Sequence, residues 1–293
     1  MELDYVKLKP IKPAVSVYIR EAQSLLKESA VPGDKAVHDI RVLMKKSRAL
    51  LKLAAPQIDS QYCSRDLAEL KEVGRIMRSW RDTSVHRKTL KELKKEFPDI
   101  FSRLNGHTAL TQLLSKQIFP SEPDDERSSS IKQIGSLLNK TSYRVRFQTM
   151  SVFDSQILIK QLEASYTRIA DIYLLCRNNP GTAKLHLFRM KTKDFLYQLY
   201  IFRPLNPSII KTLEKRLDSM TQNLGKYNDL SQILKTLDYK YQKGVNPEPL
   251  DELVVKIREK QDRYLNKVWP IAYQYFCPGQ KLVNILGFKL LVI

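Results

Sequence analysis

One pattern recurs along the chain and constrains the fold more than any other. In residues 37–52, apolar side chains return at three- and four-residue spacing, as on the buried face of an amphipathic helix. A second row on the same helix carries only imidazole and cationic groups: His38, Arg41, Lys45, Arg48 and Lys52. Because stacked like charges repel one another, this row predicts a helix that presents a column of donors to an anion.

The same row returns in the second half of the chain. His186, Arg189 and Lys193 repeat the spacing of His38, Arg41 and Lys45 at an offset of 148 residues. A second motif pair, Arg81-Asp82 and Asn228-Asp229, lies 147 residues apart. Two motifs with nearly the same offset predict an internal duplication.

The composition favours helices and an anionic partner. The chain has 293 residues and only 9 glycines, and it is rich in leucine, lysine and glutamate, so we expect an all-α protein. Fifty basic residues against 31 acidic ones leave a net charge of +19. Such a charge points to nucleic acid, an anionic membrane or a soluble polyanion; the alternative is a charge that serves only solubility.

Other features bound the location and the chemistry. Three cysteines without CxxC spacing favour a reduced, cytoplasmic protein. The apolar C-terminal stretch 282–293 is too short to span a bilayer. We therefore expect no membrane partner, no cofactor and no metal site.

The punctuation of the sequence predicts four helices in each half. Residues 1–13 form an extended lead-in, 14–119 the first half, 120–130 a linker rich in proline, serine and acids, and 131–293 the second half. Asp34 is expected to cap the first signature helix, the one carrying His38, which ends before Pro56. Breaks at Asn228-Asp229 and at Pro270 are expected to separate the last helices.

These motifs together resemble a known family. The run His38-x-x-Arg41-x-x-x-Lys45-x-x-Arg48 with the later Arg81-Asp82, and its second-half repeat, resembles the CHAD family, the conserved histidine α-helical domains. The resemblance covers about residues 10 to 280. It implies two four-helix bundles related by pseudo-twofold symmetry, with a basic surface or pore that binds inorganic polyphosphate and catalyses no reaction.

Some positions depart from the pattern of the family. Leu196 stands where the first half has Arg48, and Asp194 makes the second signature helix less basic, although Lys191 partly compensates. Arg78 stands where the second half has Gly225. We therefore expect the first-half site to be the stronger one.

The predicted polyphosphate ligands are cations on the two signature helices, flanked by two arginines of the third helix: Arg41, Lys45, Arg48, Lys52, Arg189, Lys191, Lys193, Arg75 and Arg78. For His38 and His186, two interpretations stay open: a structural role, or donation to phosphate with binding that weakens as pH rises through about 6–7. Asp82 and Asp229 are interpreted as structural acids that cap the following helix and hold a basic side chain.

Two other functions are weighed against polyphosphate binding. A nucleic-acid-binding protein fits the charge, but the sequence has no zinc-finger, bZIP or RNP motif. An enzyme acting on phosphate esters is less favoured, because no P-loop, GxGxxG or HExxH motif is present. We further expect a possible association with polyphosphate granules or with a polyphosphate-related enzyme.

Overall fold

The computed structural model describes residues 8–104, 124–147, 154–237 and 248–287, and every regular element within these ranges is helical. The all-α prediction is therefore confirmed. The α-helices are α1 (Ile11–Lys27), α2 (Asp34–Ala54), α3 (Ser60–Ile76), α4 (Arg78–Glu96), α5 (Pro98–Arg103), α6 (Asp124–Phe147), α7 (Ser155–Asn178), α8 (Thr182–Phe202), α9 (Pro207–Leu237), α10 (Glu248–Phe276) and α11 (Leu282–Leu286).

Local sequence signals set several of these boundaries. The side chain of Asp59 accepts hydrogen bonds from two backbone amides at the start of α3, and Asp154 does the same for one amide of α7. Helix α2 ends before Pro56, as predicted, and a 3₁₀ turn, Ala55–Gln57, follows it. The predicted cap is wrong: Asp34 is the first residue of α2, and Gly33 at the cap position offers no side chain.

Helices α1, α2, α3 and α6 pack against one another in a closed group, since α6 contacts both α1 and α3. Helices α7, α8, α9 and α10 form a second closed group. The two groups meet where α2 packs against α8, so the two signature helices face each other across the centre of the molecule. Their apolar faces lie in one continuous core.

A second, smaller core lies beside the first. It joins α4 and α5 to the C-terminal part of α9 and the N-terminal part of α10 through residues such as Leu90, Leu93, Ile233 and Leu253. Helix α4 contacts α2 and α3 of the first group and α9 of the second, so it bridges the two groups.

Several boundaries differ from those predicted. Helix α1 begins at Ile11, within the predicted lead-in, because Pro13 falls in its first turn, where a missing N–H breaks no helical bond. Residues 120–123 of the predicted linker lie outside the described residues, and residues 124–130 begin α6. Residues 131–147, predicted to belong to the second half, pack on α1 and α3 as part of the same helix.

Two predicted helix breaks are also wrong. Helix α9 runs through Asn228-Asp229 without interruption. Helix α10 continues through Pro270, which removes a backbone hydrogen bond at a price of about 3 kcal/mol. Val268, Ala272 and Phe276 lie on one face on either side of this proline and are fully buried, so core packing keeps the helix intact.

Candidate functional site

The two signature helices correspond residue for residue. Helices α2 and α8 each contain 21 residues, and their first and last residues differ by the same offset as His38 and His186. Buried apolar residues coincide at this offset: Val37 with Leu185 and Ile40 with Phe188. The motif residues of both helices are therefore placed alike relative to the core.

The motif arginines bind the backbone of the next helix in the chain. Nη1 of Arg41 donates to the carbonyl oxygen of Gly74 on α3, and Nε of Arg189 donates at 3.1 Å to the carbonyl oxygen of Thr221 on α9. These two acceptors lie 147 residues apart, the offset of the second motif. The predicted column of donors therefore differs at its two arginines, because each of them joins its signature helix to the next helix in the chain.

Gly225 makes the second-half contact possible. A Cβ atom at this position would lie 3.2 Å from Nε and 3.3 Å from Nη2 of Arg189. The guanidinium therefore lies directly on the backbone of α9, in space that any larger residue would fill. Burial lowers the pKa of Arg189, and the negative charge of Asp229 acts in the opposite direction.

His186 is half-buried and surrounded by positive charge. Burial lowers its pKa from the ordinary 6.5, and the charges of Arg189, Lys45 and Arg78 lower it further, while the side chain of Asn228 opposes them. Within the described residues its Nδ1 atom is buried and has no hydrogen-bond partner. Burial and three nearby cations therefore disfavour the charged form of the imidazole.

Lys45 and Arg78 are exposed, although both act on His186 from the first half of the chain. Lys45, Arg78, His186 and Arg189 therefore form one group, here called the α2–α8 cluster, to which α2, α4 and α8 contribute. The sequence predicts these four residues as ligands, and the fold brings them together.

Three other predicted lysines lie near carboxylates. Lys52 forms an ion pair at 2.5 Å with Asp194 across the α2–α8 contact. Lys193 forms one at 2.7 Å with Asp218 of α9. Burial lowers the pKa of Lys191, as do the charges of Arg168 and Lys52, while Asp194 raises it.

The remaining predicted residues differ in exposure and in partners. His38 is exposed, and Arg48 is half-buried on α2. Arg75 is exposed and forms an ion pair at 2.6 Å with Glu72 on its own helix, so its flanking role gains no support. The side chain of Asp82 lies outside the described residues.

The structure contradicts one part of the prediction for Asp229. It cannot cap a helix, because its position is inside α9. Its charge does act on Arg189, as expected of an acid that holds a basic side chain.

Three polar residues at the site were missed or received no role from the sequence: Arg168, Asp218 and Asn228. Asp218 and Asn228 follow the same stripe of α9 as Thr221 and Gly225, at helical spacing. A polar stripe at that spacing on the helix after a signature helix is the signal that would have found them.

Two properties of the described residues bear on metal binding and on membrane insertion. Among the residues that the structure describes, no group of histidine, cysteine and acidic side chains is placed to hold a metal ion. Within the same ranges, none of the helices combines the length and the apolar character needed to cross a membrane.

Comparison with protein families identifies the chain. The family model of the CHAD domain matches residues 18–238, most of the chain, and the protein therefore belongs to the CHAD family. No curated protein is significantly similar to it.

Proposed function

We propose that this protein binds inorganic polyphosphate, without catalysing a reaction, at the α2–α8 cluster and the lysines beside it. The observation that carries the proposal is the surrounding of His186, where Lys45 and Arg78 from one half of the chain meet Arg189 from the other. Cations from distant segments repel one another when the chain folds. Their convergence favours an anionic ligand, and polyphosphate is the ligand associated with this family.

The side chains suit a linear chain of phosphates. Each phosphate carries about one negative charge and offers oxygens as hydrogen-bond acceptors. Arginine can bind two of these oxygens at once, and lysine follows them as a mobile point charge. A polyphosphate chain presents no base edges, so recognition rests on its charge density and on the width of the groove that binds it.

The cluster also indicates how the two halves are related. Two helices of equal length, two matching arginine contacts and two closed groups of four helices support an internal duplication with pseudo-twofold symmetry. The symmetry axis then passes near the contact of α2 with α8. A ligand at the cluster touches both halves at once.

The motif residues divide into two roles. Arg41 and Arg189 position the next helix, since each already donates to a backbone carbonyl there. Lys45 and Arg78 are exposed and are the main ligands, with His186 below them. The protein acts as a cytoplasmic binding module, associated with polyphosphate granules or with an enzyme of polyphosphate metabolism.

A competition experiment tests the proposal. Long-chain polyphosphate is titrated against single- and double-stranded DNA of matched charge at two salt concentrations, with wild type and with Lys45→Ala/Arg78→Ala. We expect polyphosphate to bind more tightly than DNA by well over tenfold, and the variant to lose most of this preference. Affinity should fall steeply with salt in every case, because binding releases counterions.

The matched control is Lys27→Ala/Lys140→Ala, which removes the same charge from exposed positions on α1 and α6. Equal losses in both double variants would mean that the net charge, and not the cluster, binds the ligand. Equal binding of DNA and polyphosphate would instead favour a general polyanion- or nucleic-acid-binding protein.

A further inference from the structure

Two carboxylates of the second half form ion pairs with lysines of the proposed site. Asp194 binds Lys52 at 2.5 Å, and Asp218 binds Lys193 at 2.7 Å. Both lysines are partly accessible to solvent, with 37% of the Lys52 side chain and 19% of the Lys193 side chain exposed. An anion can therefore reach them, but it must compete with a carboxylate that is already in place.

The corresponding positions of the first half carry the opposite charge. The offset of 148 residues that aligns α2 with α8 pairs Asp194 with Lys46. The offset of 147 residues, which the acceptors of Arg41 and Arg189 share, pairs Asp218 with Lys71. The two halves thus differ by an inversion of charge at both positions, and the two aspartates contact one signature lysine of each half, Lys52 on α2 and Lys193 on α8.

We infer that Asp194 and Asp218 are specificity-determining residues that reserve Lys52 and Lys193 for anions of high charge density. The inference rests on the proposed function. A sparsely charged anion gains too little at Lys52 or Lys193 to displace the carboxylate bound there. A polyphosphate chain carries a charge at every phosphate, so phosphates held at Lys45 and Arg78 raise the local concentration of the chain at Lys52 and Lys193.

Neutralising the two aspartates is expected to raise the affinity for phosphate chains. When both aspartates are neutralised, Lys52 and Lys193 become free to bind phosphate. Two partly exposed ion pairs of this kind correspond to a gain in affinity of about five- to tenfold for long polyphosphate. The gain for triphosphate should be proportionally larger, because the aspartates no longer exclude short anions.

The experiment compares Asp194→Asn/Asp218→Asn, each single variant, and wild type, with triphosphate and long-chain polyphosphate as ligands at two salt concentrations. We expect tighter binding, a smaller ratio between the two ligands and a steeper salt dependence in the double variant. The single variants should show intermediate values, and they supply the test if the double variant does not fold.

The control is Glu252→Gln/Glu259→Gln, which removes the same charge from two ion-paired carboxylates on α10. If this control strengthens binding as much as the aspartate variant does, net charge explains the effect and the inference fails while the proposed function stands. An unchanged ligand ratio in all aspartate variants also refutes the inference. Absence of polyphosphate binding by wild type and variants alike would refute the proposed function itself.

Discussion

Replacing Gly225 with alanine tests the seam between Arg189 and α9. The new Cβ atom would lie 3.2 Å from Nε of Arg189, closer than most side-chain contacts, and the guanidinium must move. Because Nε is bonded to the carbonyl of Thr221 at 3.1 Å, the movement weakens a hydrogen bond from a charged group. Such a bond contributes about 1.5–3 kcal/mol.

Helix propensity acts in the opposite direction. Alanine inside a helix is more stable than glycine by about 0.5–1 kcal/mol. Complete loss of the bond would exceed this gain, so we expect Gly225→Ala to lower the free energy of unfolding by at most about 2.5 kcal/mol. Affinity for polyphosphate should fall as well, because Arg189 is displaced within the cluster.

The matched control is Gly74→Ala, at the residue whose carbonyl accepts the bond from Arg41. A Cβ atom there meets no other atom within 4 Å, so only the propensity term applies and the free energy of unfolding should rise. Urea denaturation followed by circular dichroism measures both variants. The reasoning is refuted if Gly225→Ala is as stable as Gly74→Ala or more stable.

Two further predictions concern stability and pH. Arg144→Met should lower the free energy of unfolding by about 3–5 kcal/mol. The substitution removes the guanidinium whose Nε lies 2.8 Å from the buried carboxylate of Asp66. The control is Lys256→Met, in an exposed ion pair, which should change the free energy of unfolding by at most about 1 kcal/mol in the same urea experiment. Because the pKa of His186 is lowered in the folded protein, the unfolded chain binds a proton at this histidine more readily as pH falls below about 6.5. The folded protein therefore loses stability in this range, and a bound polyphosphate opposes the loss. Affinity should therefore rise as pH falls through this range in wild type and stay flatter in His186→Asn; equal pH profiles in isothermal titration would contradict the role of the histidine.

The sequence was sufficient to predict the elements that bury an apolar stripe. The periodicity around Val37 predicted α2, the repeat of its motif predicted α8, and the apolar stripes of both helices are in the core. Breaks were less predictable, because a polar pair such as Asn228-Asp229 reads as a turn unless its contact across the helix interface is known. The same limit applies to Pro270, whose helix persists through core packing on both sides.

The site was predictable in its membership but not in its geometry. Spacing places Arg41 and Arg189 on the same stripe as Lys45 and Lys193, but it cannot say which helix faces that stripe. In the structure the arginines meet a backbone carbonyl, and Lys193 meets a carboxylate. Contacts of this kind depend on how distant helices pack, which no local pattern encodes.

The packing also explains why a cluster of cations can persist in the free protein. Burial lowers the pKa of His186, Arg189 and Lys191, and in each case the direction disfavours the charged form. Asp194 and Asp229 oppose this effect at Lys191 and Arg189, so the acids of the second half favour the charged forms of both side chains. A polyanion bound at the α2–α8 cluster would likewise favour the charged forms of these side chains. Asp194 therefore favours the charged form of Lys191 and, in the proposed function, competes with the ligand at Lys52.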